Sequence, residues 1–187
     1  MHAALAMLTA LAVTACAGRP LKLYTLNDPA ALGSPGRLQP GAPVIEVDRL
    51  NLPDYVDTLD IVLRHGSVLE RSDGARWASR LSILATNLLT AQLATRAPRA
   101  LVTDQWRGTA PDYRVMVQVT RLDVTTAGAA SLDAHWQIVP RDPRLQPLRD
   151  RTQIRLTGPV ATDQQVVALE TKLFERLAEA IRLPGPP

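Results

Sequence analysis

Only one cysteine, Cys16, occurs in the 187-residue chain, so no intramolecular disulfide can hold the fold and a packed core has to supply the stability. Aromatic residues are scarce at 4%, with a single phenylalanine, which makes each Trp and Tyr a more informative position than usual. Lysine is nearly missing. Of 21 basic side chains only Lys22 and Lys172 are lysines, and the rest are arginines. Acidic residues are interspersed among those arginines and the net charge is +3, so no face is cleared for a polyanion and nucleic acid is not expected as a partner. The sequence also lacks G-x-S-x-G, S-x-x-K, H-E-x-x-H, P-loop and G-x-G-x-x-G patterns. His65 and His135 are too far apart to suggest a zinc site, and only Ser67 accompanies His65 as a nucleophile. No enzymatic activity, metal or cofactor is therefore expected.

What is present fits a folded domain. The hydrophobic content is 46%, and the length suits one domain with a real core. The N-terminus reads MHAALAMLTALAVTACAG, with an apolar run over residues 3–12 that is too short to span a bilayer. Small residues follow it, as in a secretory signal. Val13-Thr14-Ala15-Cys16 resembles a lipobox, the bacterial lipoprotein signal. That resemblance implies cleavage before Cys16 and acylation of its thiol, and each buried CH₂ of an acyl chain contributes roughly 0.8 kcal/mol to anchoring. Ala17, in place of Asp, resembles the signal that directs lipoproteins to the outer membrane. The expected division is a signal peptide over 1–15, a lipidated tether over 16–21, one domain over 22–183 and a tail over 184–187.

Within the domain, residues 22–26 and 44–50 read as strands, separated by a turn-prone segment rich in Gly and Pro. LDIVLRHGSVLER reads as two short strands turning at His65-Gly66. A first helix is expected from an Asp73 N-cap to about Ala94, with Trp77, Leu81, Leu84, Leu88 and Leu93 as its apolar stripe. Tyr113, Val115, Val117 and Val119 then alternate with polar neighbours, as do Leu132, Ala134, Trp136 and Ile138, while TQIRL supplies a further strand. Thr162 and Gln165 form a capping-box pattern ahead of a last helix striped by Val166, Leu169, Leu173, Leu177 and Ile181. The expected class is α+β: a single antiparallel sheet with two amphipathic helices packed on one face.

The densest group of chemically distinctive residues is LNLPDYVDTLDIVLRHG, residues 50–66. Its three aspartates, arginine, histidine and tyrosine could form a catalytic cluster, a binding edge or a loop entering a strand. Pro53 cannot donate a backbone hydrogen bond and sets Leu52 extended.

The pieces LPDYVDTLDIVLRHG, LERSDGARWASRL, YTLNDP, YRVMVQVTRLDV and LDAHWQIV, in this order and spacing, resemble the PqiC/YmbA family of ABC-type transport auxiliary lipoproteins. The likeness runs from Cys16 to about Ile181. It implies an outer-membrane lipoprotein facing the periplasm, working with an MCE-domain transport protein that moves lipids or other hydrophobic compounds between membranes. Leu52, Pro53, Tyr55, Asp57, Ile61 and Arg64 are then the candidate partner-docking residues, and Cys16 the lipidation site. Candidate partners are the MCE-domain protein, the outer membrane through the N-terminal lipid, and another copy of the chain. Two alternatives stand beside this reading: a periplasmic carrier holding an acyl chain between sheet and helices, and an envelope hydrolase.

Overall fold

Period-2 alternation in residues 113–140 becomes the longest pair of strands among the described residues, and the other elements are arranged around it. The computed structural model describes residues 20–26 and 37–184. The expected signal peptide, the Cys16 lipidation site, part of the Gly- and Pro-rich segment and the last three residues lie outside the described residues. In chain order the elements are β1 (Lys22–Tyr24), β2 (Val44–Val47), β3 (Asp60–His65), β4 (Val68–Trp77), α1 (Leu81–Arg96), β5 (Leu101–Thr103), β6 (Tyr113–Val124), β7 (Ala129–Pro140), β8 (Leu148–Thr157) and α2 (Asp163–Ala180).

The strands form two sheets, one of three strands in the order β1-β4-β3 and one of five in the order β5-β2-β6-β7-β8. β6, β7 and β8 form an antiparallel meander, as their alternation suggests. β2, however, runs parallel to both β5 and β6, and β1 runs parallel to β4. The expected single antiparallel sheet is therefore wrong; the fold has two sheets, each of mixed direction. Alternation reports which face of a strand is buried, not which neighbour it pairs with. Parallel partners must lie far apart in sequence because a crossover has to connect them, so nothing local announces them.

The inner face of the larger sheet carries Val115, Val117, Val119, Leu132, Ala134, Trp136 and Ile138, all buried. α2 contributes Val166, Leu169, Leu173, Phe174 and Leu177, and α1 contributes Leu81, Leu84, Leu88, Leu89 and Leu93. All belong to one continuous core, which leaves the sheet–helix interface filled by side chains. The Thr162 capping box is formed: Thr162 Oγ1 accepts from the Gln165 N–H at 3.3 Å, and Gln165 Oε1 accepts from the Thr162 N–H at 3.2 Å.

The first helix starts later than the sequence suggests. β4 continues through Trp77, and α1 begins at Leu81 with Arg80 as its N-cap, so Asp73 lies in a strand. Arg80 supplies no side-chain cap. Asp57 does so from the preceding loop, its Oδ1 accepting from the Ser82 N–H at 2.9 Å. A carboxylate there also faces the positive end of the helix dipole.

Gly128 closes the β6–β7 turn with φ 81°. Its carbonyl accepts from the Gly158 N–H at 2.9 Å, and a Cβ on it would overlap the Gly158 carbonyl oxygen. Gly128→Ala should therefore cost about 1–3 kcal/mol in chemical denaturation. A loss below about 0.5 kcal/mol, within the range of ordinary surface changes, would show that the turn relaxes freely.

Candidate functional site

Residues 50–66 leave the end of β2 and enter β3, and their side chains divide into three groups. Leu52 and Ile61 are buried at 4% and 2% exposure and belong to the core. Half-buried Pro53 starts a tight turn, its carbonyl accepting from the Val56 and Asp57 N–H groups at 3.0 and 3.1 Å. That turn delivers Asp57 to the N-terminus of α1, where Arg80 and Arg49 flank it at 3.5 and 3.9 Å.

The third group is Tyr55 with Arg64. β3 meets the end of β6 at this point, where an isolated parallel bridge joins Arg64 to Thr125 and the Arg64 carbonyl accepts from the Thr126 N–H at 3.1 Å. The Arg64 guanidinium lies over the Tyr55 ring, 5.2 Å from its centroid, a cation–π arrangement. Its Nε donates to Asp123 Oδ1 at 2.6 Å, while Arg121 Nε donates to Asp123 Oδ2 at 2.8 Å. The Tyr55 hydroxyl donates to the Leu122 carbonyl at 3.1 Å and accepts from the Leu122 N–H at 3.3 Å. Burial alone would push the Asp123 carboxyl up, but the hydrogen bonds from the two arginines outweigh it and hold the group below the usual range.

The sequence reading missed Asp123, Arg121 and Glu170. A register shift between Val119 and Arg121 turns the end of β6, so that Leu122, Asp123 and Val124 are all buried. Glu170 lies on the buried face of α2, four residues from both Val166 and Phe174. With Arg64 and Asp123 it lines a small cleft, and its Oε2 has no hydrogen-bond partner among the described residues. Burial pushes its carboxyl up to about 8. Glu170 leaves a trace in the sequence, since it falls at helical spacing from Val166, Val167, Leu173 and Phe174, whereas Asp123 is flanked by Arg121 and Thr125 and leaves none.

The two histidines stand apart from this cluster. His65 faces Glu70 at 3.3 Å, both exposed. His135 is on the outer face of the five-stranded sheet, in an open groove of about 760 Å³ that also has Arg49, Met116, Gln118 and Arg151 in its lining.

Among solved structures, one uncharacterised protein matches with a TM-score of 0.68 at 18% identity, covering 86% of this chain and 95% of that one. XCC0632 from Xanthomonas campestris matches with a TM-score of 0.58 at 13% identity, covering 75% of this chain and 84% of that one. At these identities the likeness is one of fold. No curated protein matches the chain at a significant level. The family described as the ABC-type transport auxiliary lipoprotein component matches residues 24–182, from the last residue of β1 to just past α2. That span takes in both sheets, both helices and the Tyr55–Arg64–Asp123 cluster, and the chain belongs to this family of ABC-type transport auxiliary lipoproteins, of the PqiC/YmbA type.

Proposed function

We propose that the protein is a non-catalytic docking subunit of an intermembrane lipid-transport system, held at the periplasmic face of the outer membrane by acyl chains on Cys16. Its partner in this reading is an MCE-domain transport protein, which it meets around residues 52–64. The observation that carries the docking role is the Arg64 guanidinium stacked on the Tyr55 ring at 5.2 Å, with both side chains already held by Asp123 and Leu122. Tyr and Arg dominate binding hot spots, and groups fixed before binding lose little freedom when a partner arrives. Leu52 and Ile61 serve the surface from behind, as the core on which it rests, and Asp57 serves it by fixing α1.

Tyr55→Ala and Arg64→Gln test the proposal. Arg121 still neutralises Asp123 in the second variant, so the fold should persist. Each change should weaken co-purification with the MCE-domain protein by about tenfold or more, since a hot-spot residue contributes on the order of 2 kcal/mol. Circular-dichroism melting should show a cooperative transition in both. Unchanged co-purification in both variants would remove the docking role from this surface.

A further inference from the structure

We infer that the outer face of the three-stranded sheet at β1 is the surface that rests on the lipid bilayer, with Leu21 and Leu23 seated among the headgroups. The inference rests on the anchoring through Cys16 proposed above, and it adds which side of the domain faces the membrane.

Leu23, in β1, is 64% exposed and Leu21, just before it, 55%. Leu23 is the central residue of β1 and Leu21 immediately precedes the strand, so the two exposed leucines stand together where the chain enters the sheet. The register identifies the face that Leu23 occupies. Lys22 lies opposite Ala75 and Tyr24 opposite Trp77, and both β4 partners are buried in the core. Leu23 lies opposite Arg76, on the outer face. Arg76 is in turn opposite Asp60, with Arg76 Nε and Arg71 Nη1 at 2.8 and 3.1 Å from the Asp60 carboxylate. Leu59, 51% exposed, is at the same end, its carbonyl accepting from the Trp77 N–H at 2.7 Å. Exposed leucines bordered by guanidinium groups are the composition of a surface that sits at a lipid interface and meets anionic headgroups.

Chain length names the occupant. Leu21 is five residues beyond Cys16, and an extended chain spans at most about 3.6 Å per residue. An acylated Cys16 therefore keeps Leu21 within roughly 18 Å of the bilayer surface whatever path the tether takes. The exposed leucines at 145 and 148 belong to the β7–β8 connection and the start of β8, in the other sheet, with no such constraint.

The test uses the full chain purified with its acyl anchor, the modification being established by intact mass. Acylated Cys16 has no free thiol, so Leu23→Cys and Leu145→Cys each introduce one site for an environment-sensitive fluorophore. The proteins are reconstituted into vesicles of phosphatidylethanolamine and phosphatidylglycerol, with and without nitroxide-labelled lipid. The label at 23 should shift to the blue and lose most of its fluorescence to the nitroxide lipid, while the label at 145 keeps a water-like spectrum. Equal quenching at 23 and 145 in acylated protein would overturn the inference and leave the anchor intact. A blue shift at 23 without lipid quenching would mean that protein covers the site, a partner or a second copy, and would overturn it too. An unacylated mass would remove the anchoring itself, and the inference with it.

Discussion

Replacing Glu170 with glutamine should abolish a loss of stability that the native protein undergoes as the pH rises from about 4.5 to 8. Burial raises the Glu170 carboxyl from 4.5 to about 8 in the folded chain. The unfolded chain gives up this proton first, so between those values the unfolded state binds fewer protons and stability falls with pH. The contribution is complete below the unfolded value and is lost as the pH passes through the folded one. A shift of that size makes the variant's advantage over the native protein grow by about 3 kcal/mol between pH 5 and pH 8. Glu170→Met should give a further gain at every pH, because Oε2 is buried without a partner among the described residues and an apolar side chain of similar shape leaves nothing unsatisfied. Asp123 works in the opposite direction: its lowered carboxyl contributes stability above the ordinary aspartate range, which is lost on acidification. Urea unfolding of the native protein and both variants at several pH values separates the two limbs. Parallel native and Glu170→Gln curves would mean that the Glu170 carboxyl adds nothing to the pH dependence of stability.

Phe174→Ala should cost about 3–5 kcal/mol, enough to threaten the fold of a domain whose total stability is expected at about 5–15 kcal/mol. Phe174 is the only phenylalanine in the chain and is 0% exposed, on an α2 that packs against α1, β7 and β8. A cavity opened on a helix with three packing partners is not readily closed by one of them moving. Leu84→Ala, on α1 at 6% exposure, should cost about 2–5 kcal/mol by the same mechanism. Ile83→Ala, one residue away but 37% exposed, is the control and should cost less than about 0.5 kcal/mol. Equal losses at 83 and 84 would mean that α1 does not present its stripe to the core as described.

Much of the fold was legible wherever a local period was clean. The β6–β7 alternation, the hairpin at Gly66 and the Thr162 capping box all have causes confined to a few neighbouring residues. The start of α1 was not, because Trp77 satisfies two periods together. It is two residues from buried Ala75 along a strand and four from buried Leu81 along a helix, and the longer stripe prevailed in the sequence reading. The cap that settles the boundary, Asp57, lies 25 residues from its partner Ser82 and gives no local sign. The candidate site was legible in the same partial way. Tyr55 and Arg64 belong to one segment, but nothing in it announces their stacking, and Asp123, the group that holds Arg64 in place, is 59 residues further along the chain. Leu52 and Ile61, within the same segment, are buried in the core.

β2 occupies the inside of the five-stranded sheet, between β5 and β6, although it is the first strand of that sheet to be synthesised. It is only four residues long and both of its partners come later in the chain, the second of them after α1 and β5. A nascent chain therefore carries β2 with both edges bare until residues 101–103 have emerged, and with its β6 edge bare until residues 113–124 follow. Pairings over such separations are slow to form, because loop closure has to precede any gain from contact. The β6–β7–β8 meander, whose partners are successive, should assemble first and act as the template on which β2, and then β5, is laid down. Truncations ending before β6 should leave β2 as an open edge prone to aggregation, even when every residue of the docking segment is present.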